Sequence, residues 1–212
     1  MLEPRPRVAR RPRHGAHITT LFTKRYGFSQ EVLADIGLLF LAWSLFENEV
    51  EMAIWKLTEM PVAKQRPATD KMQSAERLKA LNDAIAGRIG PEQKRALALF
   101  SETAEHVLAY RNAIAHGRPF GGAIGGQMSM SNYSFHGERR KRPAEVAHFL
   151  PSILKLALEA LETLHLCVYQ LQMTRNADEG IALMLSDPHL ASARSAAHEA
   201  RHIASMINHE KY

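Results

Sequence analysis

Within the six residues Arg111–His116 stand three side chains suited to phosphate chemistry: Arg111, Asn112 and His116. A guanidinium offers planar, paired donors to the non-bridging oxygens of a phosphodiester, where charge gathers in the transition state. An imidazole exchanges protons near neutral pH, and such acid–base work contributes about 10²–10⁴ in rate. Asn112 is suited to fixing a phosphate or orienting the imidazole. Requiring Asn directly after the Arg of an Arg-x-x-x-x-His string lowers its chance expectation from about one to about 0.03 per chain, so the segment merits a functional reading. A blander reading keeps the helix and drops the reaction: Arg111 would pair with a carboxylate of a neighbouring helix, such as Glu47, and His116 with Gly117 would simply end the helix.

A second constellation competes. His198-Glu199-Ala200-Arg201-His202 matches His-Glu-x-x-His, in which two histidines one helical turn apart hold zinc and the Glu activates water. Its surroundings disfavour that chemistry. Only ten residues follow, Ser205 and Asn208 stand where the longer zinc-protease pattern has Gly and His, and His209 and Glu210 lie too close along the same helix to complete an open tetrahedral site. A polar face on a surface helix is the expected role of His198, Glu199 and His202, with a zinc hydrolase as the remote alternative. Arg139, Arg140, Lys141 and Arg142 form a basic cluster suited either to holding RNA backbone or to a solvated turn. Neither a Gly-x-x-x-x-Gly-Lys loop nor a dinucleotide fingerprint is found, so no cofactor is expected.

These residues require helices to position them. From Ser29 to Glu59, Val32, Leu33, Ile36, Leu39, Phe40, Trp43, Phe46, Val50, Ile54 and Leu57 recur at spacings of three and four, which predicts one long helix capped by Ser29, with Pro61 and Pro67 marking the loop after it. Asp70–Ala86 repeats the pattern and stops at Gly87. Pro91 suits a first helical residue, and Leu97, Phe100, Ala104, Val107, Leu108 and Ile114 carry a third helix to Gly117, with the Arg111–His116 segment at its end. The glycine-rich stretch 118–142 contains the alternating piece Gln127–Tyr133, which suits a short hairpin or ordered loop. Pro143 is then expected to open a long helix to about Arg175, bent near Pro151, and Asp178–Tyr212 reads as two shorter, peripheral helices split around Asp187-Pro188. The prediction is an all-α bundle of about five to six helices: a basic arm at 1–28, a helical domain at 29–175 and a C-terminal helical extension at 176–212.

Composition agrees with that class. A single cysteine, Cys167, excludes an internal disulfide framework, and its apolar surroundings predict a buried, inert thiol. The net charge of +5 is concentrated in residues 1–13, where five arginines face only Glu3. That arm, interrupted by three prolines, is expected to track phosphates or an anionic surface, or merely to aid solubility. The most apolar run, Ile36–Phe46, is eleven residues long, short of the roughly 20 needed to span a bilayer. No secretory layout is seen near the N-terminus, so a cytoplasmic location without membrane contact is expected.

The segment Tyr110-Arg111-Asn112-Ala113-Ile114-Ala115-His116-Gly117 resembles the signature of the HEPN superfamily: Arg, a polar residue such as Asn, three variable residues and His, followed in several families by Gly. The layout over about Ser29–Arg175 is also similar, with Trp43 and Phe46-Glu47 on a long early helix and the motif near the end of a later one. The resemblance implies a compact helical bundle that forms homodimers and acts as a metal-independent endoribonuclease in toxin or defence systems, alongside an antitoxin or other partner protein. Some HEPN-like domains instead bind nucleotides, RNA or proteins without catalysis, which is the alternative here. The motif itself favours pairing. Arg111 and His116 are five residues apart, about 140° around a regular helix, so one helix does not aim both at one phosphate, whereas two copies about a two-fold axis bring two of each to a shared cleft.

Overall fold

The computed structural model describes residues 18–120, 129–131, 146–148 and 150–206, with the three strands and residues 202–206 described by their backbone alone. The cluster Arg139–Arg142 and the arginines of the basic arm through Arg13 lie outside the described residues.

After a π-helical turn at Leu21–Arg25, helix α1 (Gln30–Leu57) opens at Ser29, whose Oγ accepts from the Val32 amide at 3.1 Å, as expected of an N-cap. Its buried stripe includes Leu39, Trp43, Phe46, Val50 and Ile54, each at most 4% exposed. Burying side chains of this size stabilises by about 1.5–3 kcal/mol apiece before the entropy of ordering them is subtracted. Pro61 and Pro67, expected in a loop, instead flank and enter a short helix, α2 (Val62–Thr69). Glu51 explains why this turn holds: the buried carboxylate takes Arg66 from α2 at 3.0 Å and Arg77 from the next helix at 3.0 Å. α3 (Ser74–Ala86) begins later than expected, where the Glu76 carboxylate reaches back to accept from the Gln73 amide at 2.7 Å.

α4 (Pro91–His116) starts with Pro91 in the first turn and ends where Gly117 turns extended and leads into the first strand. Arg118–Phe120 (β1), Ser129–Ser131 (β2) and Val146–His148 (β3) make a small antiparallel sheet in the order β1-β2-β3, with Arg118 opposite Ser131 and Ser129 opposite His148. The long helix expected from Pro143 therefore begins later. α5 (Pro151–Met173) has Pro151 in its first turn, and Leu150 before it is extended (φ −72°, ψ 137°), the conformation that a following proline imposes. The proline starts a helix where it was expected to bend one.

α5 is the central element, with Leu154, Leu161, Leu164, Cys167 and Leu171 essentially inaccessible. α1 runs beside it in the same direction. Near their ends, the Lys56 ammonium donates to the carbonyls of Leu171 (2.7 Å), Gln172 (3.0 Å) and Thr174, satisfying acceptors that a helix C-terminus leaves open. α6 (Ala177–Leu185), capped by Asn176, and α7 (Leu190–Met206) were expected to be peripheral. They are not: Ile181, Met184, Leu190, Ala197 and Ala200 join the same core, and small alanines let α7 lie close to α4 and α5. No helix among the described residues is long and apolar enough to cross a membrane.

Candidate functional site

The last turns of α4 expose their chemistry because of how the helix is buried. Val107, Tyr110, Ala113 and Ile114 face the core, and this rotation leaves Arg111 and Asn112 half-buried and His116 exposed. Burial pushes the Tyr110 hydroxyl well above its ordinary pKa, so it stays protonated at neutral pH.

Arg111 lies over the ring of Phe40 on α1, with its guanidinium carbon 5.0 Å from the ring centroid. This cation–π contact holds the guanidinium against α1. On the other side, Nη1 donates to Asn112 Oδ1 at 3.0 Å. Asn112 thus positions the guanidinium, a role distinct from holding the imidazole or a phosphate. Arg111 Nε is buried and has no hydrogen-bond partner, and no carboxylate lies within ion-pair distance of Arg111 among the described residues. Glu47, the carboxylate that sequence offered as a partner, accepts from Ser74 Oγ and lies 3.9 Å from Arg77 Nη1. A partly desolvated cation without a counter-charge is costly, and an anion relieves that cost.

His116, one turn beyond Asn112, presents its ring to solvent at the end of the helix. A regular helix places it about 7.5 Å along the axis from Arg111 and about 140° around it. The side chains that flank the motif in sequence are thereby sorted: Arg111 and Asn112 touch each other, while His116 stands apart. The contact of Arg111 with Phe40 is the one that sequence reasoning missed. The position of Phe40 on the flank of α1's apolar stripe was readable, but its pairing with Arg111 depends on tertiary packing.

The His-Glu-x-x-His segment lies on α7 alongside α4. His198 and Glu199 are exposed, and the side chain of His202 is outside the description. The His198 ring meets His106 of α4 edge-on, with centroids 5.2 Å apart. Arg201 Nη1 lies 3.0 Å from His106 Nδ1, so that ring nitrogen accepts and the proton of the neutral ring sits on Nε2. Burial first, then Arg201, His198 and Arg194, lower the His106 pKa from 6.5 to about 4. Two arginines this close oppose a dication, and no group of three metal-ligating residues occurs among the described residues. Cys167, fully buried, has its thiol pushed up to about 12 by burial and by Asp187, which leaves it un-nucleophilic at neutral pH.

Set against protein-family models, curated proteins and solved structures, the chain matches no family model, no curated protein and no solved structure.

Proposed function

We propose that the chain is a metal-independent endoribonuclease with a HEPN-like bundle, working as a homodimer whose paired Arg111, Asn112 and His116 form one composite site. The observation that carries this reading is Arg111: half-buried, stacked on Phe40, oriented by Asn112 and without a carboxylate partner among the described residues. An arginine recruited for stability alone is expected to meet a carboxylate, as Arg77 does at Glu51. An all-α bundle with the motif in the final turns of α4 is the arrangement the reading requires.

In the proposed reaction, His116 of one copy takes the proton of a ribose 2′-hydroxyl, and the resulting oxyanion attacks the adjacent phosphorus. Arg111 holds the non-bridging oxygens as their charge rises. The protonated His116 of the other copy gives its proton to the departing 5′-oxygen, leaving a 2′,3′-cyclic phosphate and a 5′-hydroxyl. The basic cluster Arg139–Arg142 and the N-terminal arm are assigned to the RNA backbone, with a toxin or defence role and a cognate antitoxin as the biological setting.

The test is cutting of a mixed transcript pool by purified protein in EDTA. The wild type is expected to cut and His116→Ala to cut about 10²–10⁴-fold more slowly. EDTA-sensitive cutting, or equal cutting by the variant, would overturn the proposal. RNA retention by both proteins with no cutting by either identifies the chain as a binding module instead.

A further inference from the structure

Helix α1 wears its charges on the wrong side for a helix that faces water. Glu49 and Glu51 are buried, Asp35, Glu47 and Lys56 are turned to the flanks, and between Glu31 and Thr58 no exposed position carries a charge. The exposed face is instead a seam of Ala34, Leu38, Leu41, Leu45, Asn48 and Met52, spaced alternately by four and three. This is the spacing by which one helix seats its side chains between those of another. Leu38 is 53% exposed, Leu41 72%, Leu45 49% and Met52 41%. Gly37 lies on the same face, where an added Cβ would meet nothing within 4 Å, so no packing among the described residues accounts for a helix-disfavouring glycine there.

We infer that this face of α1 is the surface on which a second copy of the chain packs, its α1 antiparallel to the first about a two-fold axis. Beside the seam, between α1 and α5, runs a groove of about 330 Å³ whose leucine walls (Leu38, Leu45, Leu158, Leu161) are rimmed on the α5 side by Lys155, Glu159, Glu162 and His165, so that a partner helix meets apolar side chains at its centre and charges of both signs at its edge. Leu166, Tyr169 and Met173 extend exposed apolar surface along α5. The four large apolar residues of the seam and the three on α5 are each 41–72% exposed, a cluster along two adjacent helices in place of the singly scattered apolar residues normal on a monomer surface. An uncharged seam suits its own copy, since two-fold packing sets like against like and would oppose any charge near the axis with itself.

The inference rests on the proposed nuclease reading only for its consequence. Phe40 lies on one flank of α1 and α5 on the other. A two-fold axis normal to an antiparallel helix pair keeps equivalent flanks on the same side. Both Phe40 rings, with the Arg111 groups resting on them, then open on one side of the dimer. With the axis crossing near the middle of the seam, the rings are offset by about 9 Å along helices whose axes are ~8–10 Å apart. Two half-sites thereby share one cleft.

Sedimentation of the full chain at micromolar concentration tests the surface without reference to RNA. The wild type is expected as a dimer and Leu41→Glu/Leu45→Glu as a monomer of unchanged helical content, with cutting reduced at least tenfold. A monomeric wild type, or a folded double variant that stays dimeric, would overturn the inference. Should the double variant not fold, Ser44→Cys decides: with Cys167 buried, it supplies the accessible thiol, and mild oxidation is expected to link two copies. No linkage, or linkage no better than that of Leu183→Cys on α6, would also overturn it. A dimer through α1 whose His116→Ala form cuts normally would leave this surface standing and remove the nuclease reading.

Discussion

Helix α4 meets arginine and histidine twice, and the two meetings differ. Around His106 the groups satisfy one another: Arg201 lies 3.0 Å from the ring nitrogen, Arg194 pairs with Glu102 at 2.9 Å, and the ring is held neutral. At the end of the same helix, Arg111 rests on an aromatic face and an amide, and His116 is left to solvent. The same residue types make a structural clasp in one place and an open site in the other. What separates them is what the facing helix supplies: α7 brings Arg194 and Arg201 to Glu102 and His106, whereas α1 offers Arg111 an aromatic ring and no carboxylate among the described residues.

Substitutions at the two sites should therefore divide cleanly. The largest expected effect is that of His116→Ala, which lowers RNA cutting by about 10²–10⁴ with no change in melting temperature, whereas His106→Ala leaves cutting intact. Next, Arg111→Lys keeps the charge but loses the paired donors and the guanidinium contact with Phe40. Cutting is expected to fall about tenfold to a hundredfold, measured as single-turnover rate. Equal cutting by the lysine variant would show that only charge matters there.

A smaller effect separates the clasp from the site through pH. His106 titrates at about 4 in the folded chain against 6.5 in the unfolded one. Between these values the unfolded state binds more protons, so the stability this group confers is complete above about pH 6.5 and is lost as pH falls toward 4. The loss is on the order of 1 kcal/mol, below the full linkage value because the ring is only partly shielded. Urea melts of wild type and His106→Gln at pH 7 and pH 4.5 check this, with a shallower pH dependence expected for the variant. Smallest of all, Arg201→Ala should raise the His106 pKa from about 4 toward 6.5 without reaching it, since burial remains the larger cause; NMR titration of the ring reads it.

Much of the frame was legible along the chain because its signals are local. Ser29 caps α1, Pro91 opens α4 and Gly117 closes it, and the apolar spacing of three and four runs through both helices. The start of α5 was misread because Pro151 at the first turn of a helix and Pro151 at a bend within one give similar sequences. The short helix Val62–Thr69 was missed because its support, Glu51 with Arg66, comes from another element. At the site, residue types and spacing named Arg111, Asn112 and His116. Which groups touch was not readable, since Phe40 beneath Arg111 and Arg77 beside Glu47 are decided by packing. Leu38, Leu41 and Leu45 sit in the most apolar run of the chain, which reads as core, yet they face outward because Leu39, Trp43 and Phe46 already fill the inner side.

The ends of the RNA fragments test the central claim most directly. Wild-type protein in EDTA is predicted to leave 2′,3′-cyclic phosphate and 5′-hydroxyl termini, and to leave uncut a strand whose scissile nucleotide lacks the 2′-hydroxyl. Fragments bearing 5′-phosphate and 3′-hydroxyl ends, or cutting at the 2′-deoxy position, would contradict it.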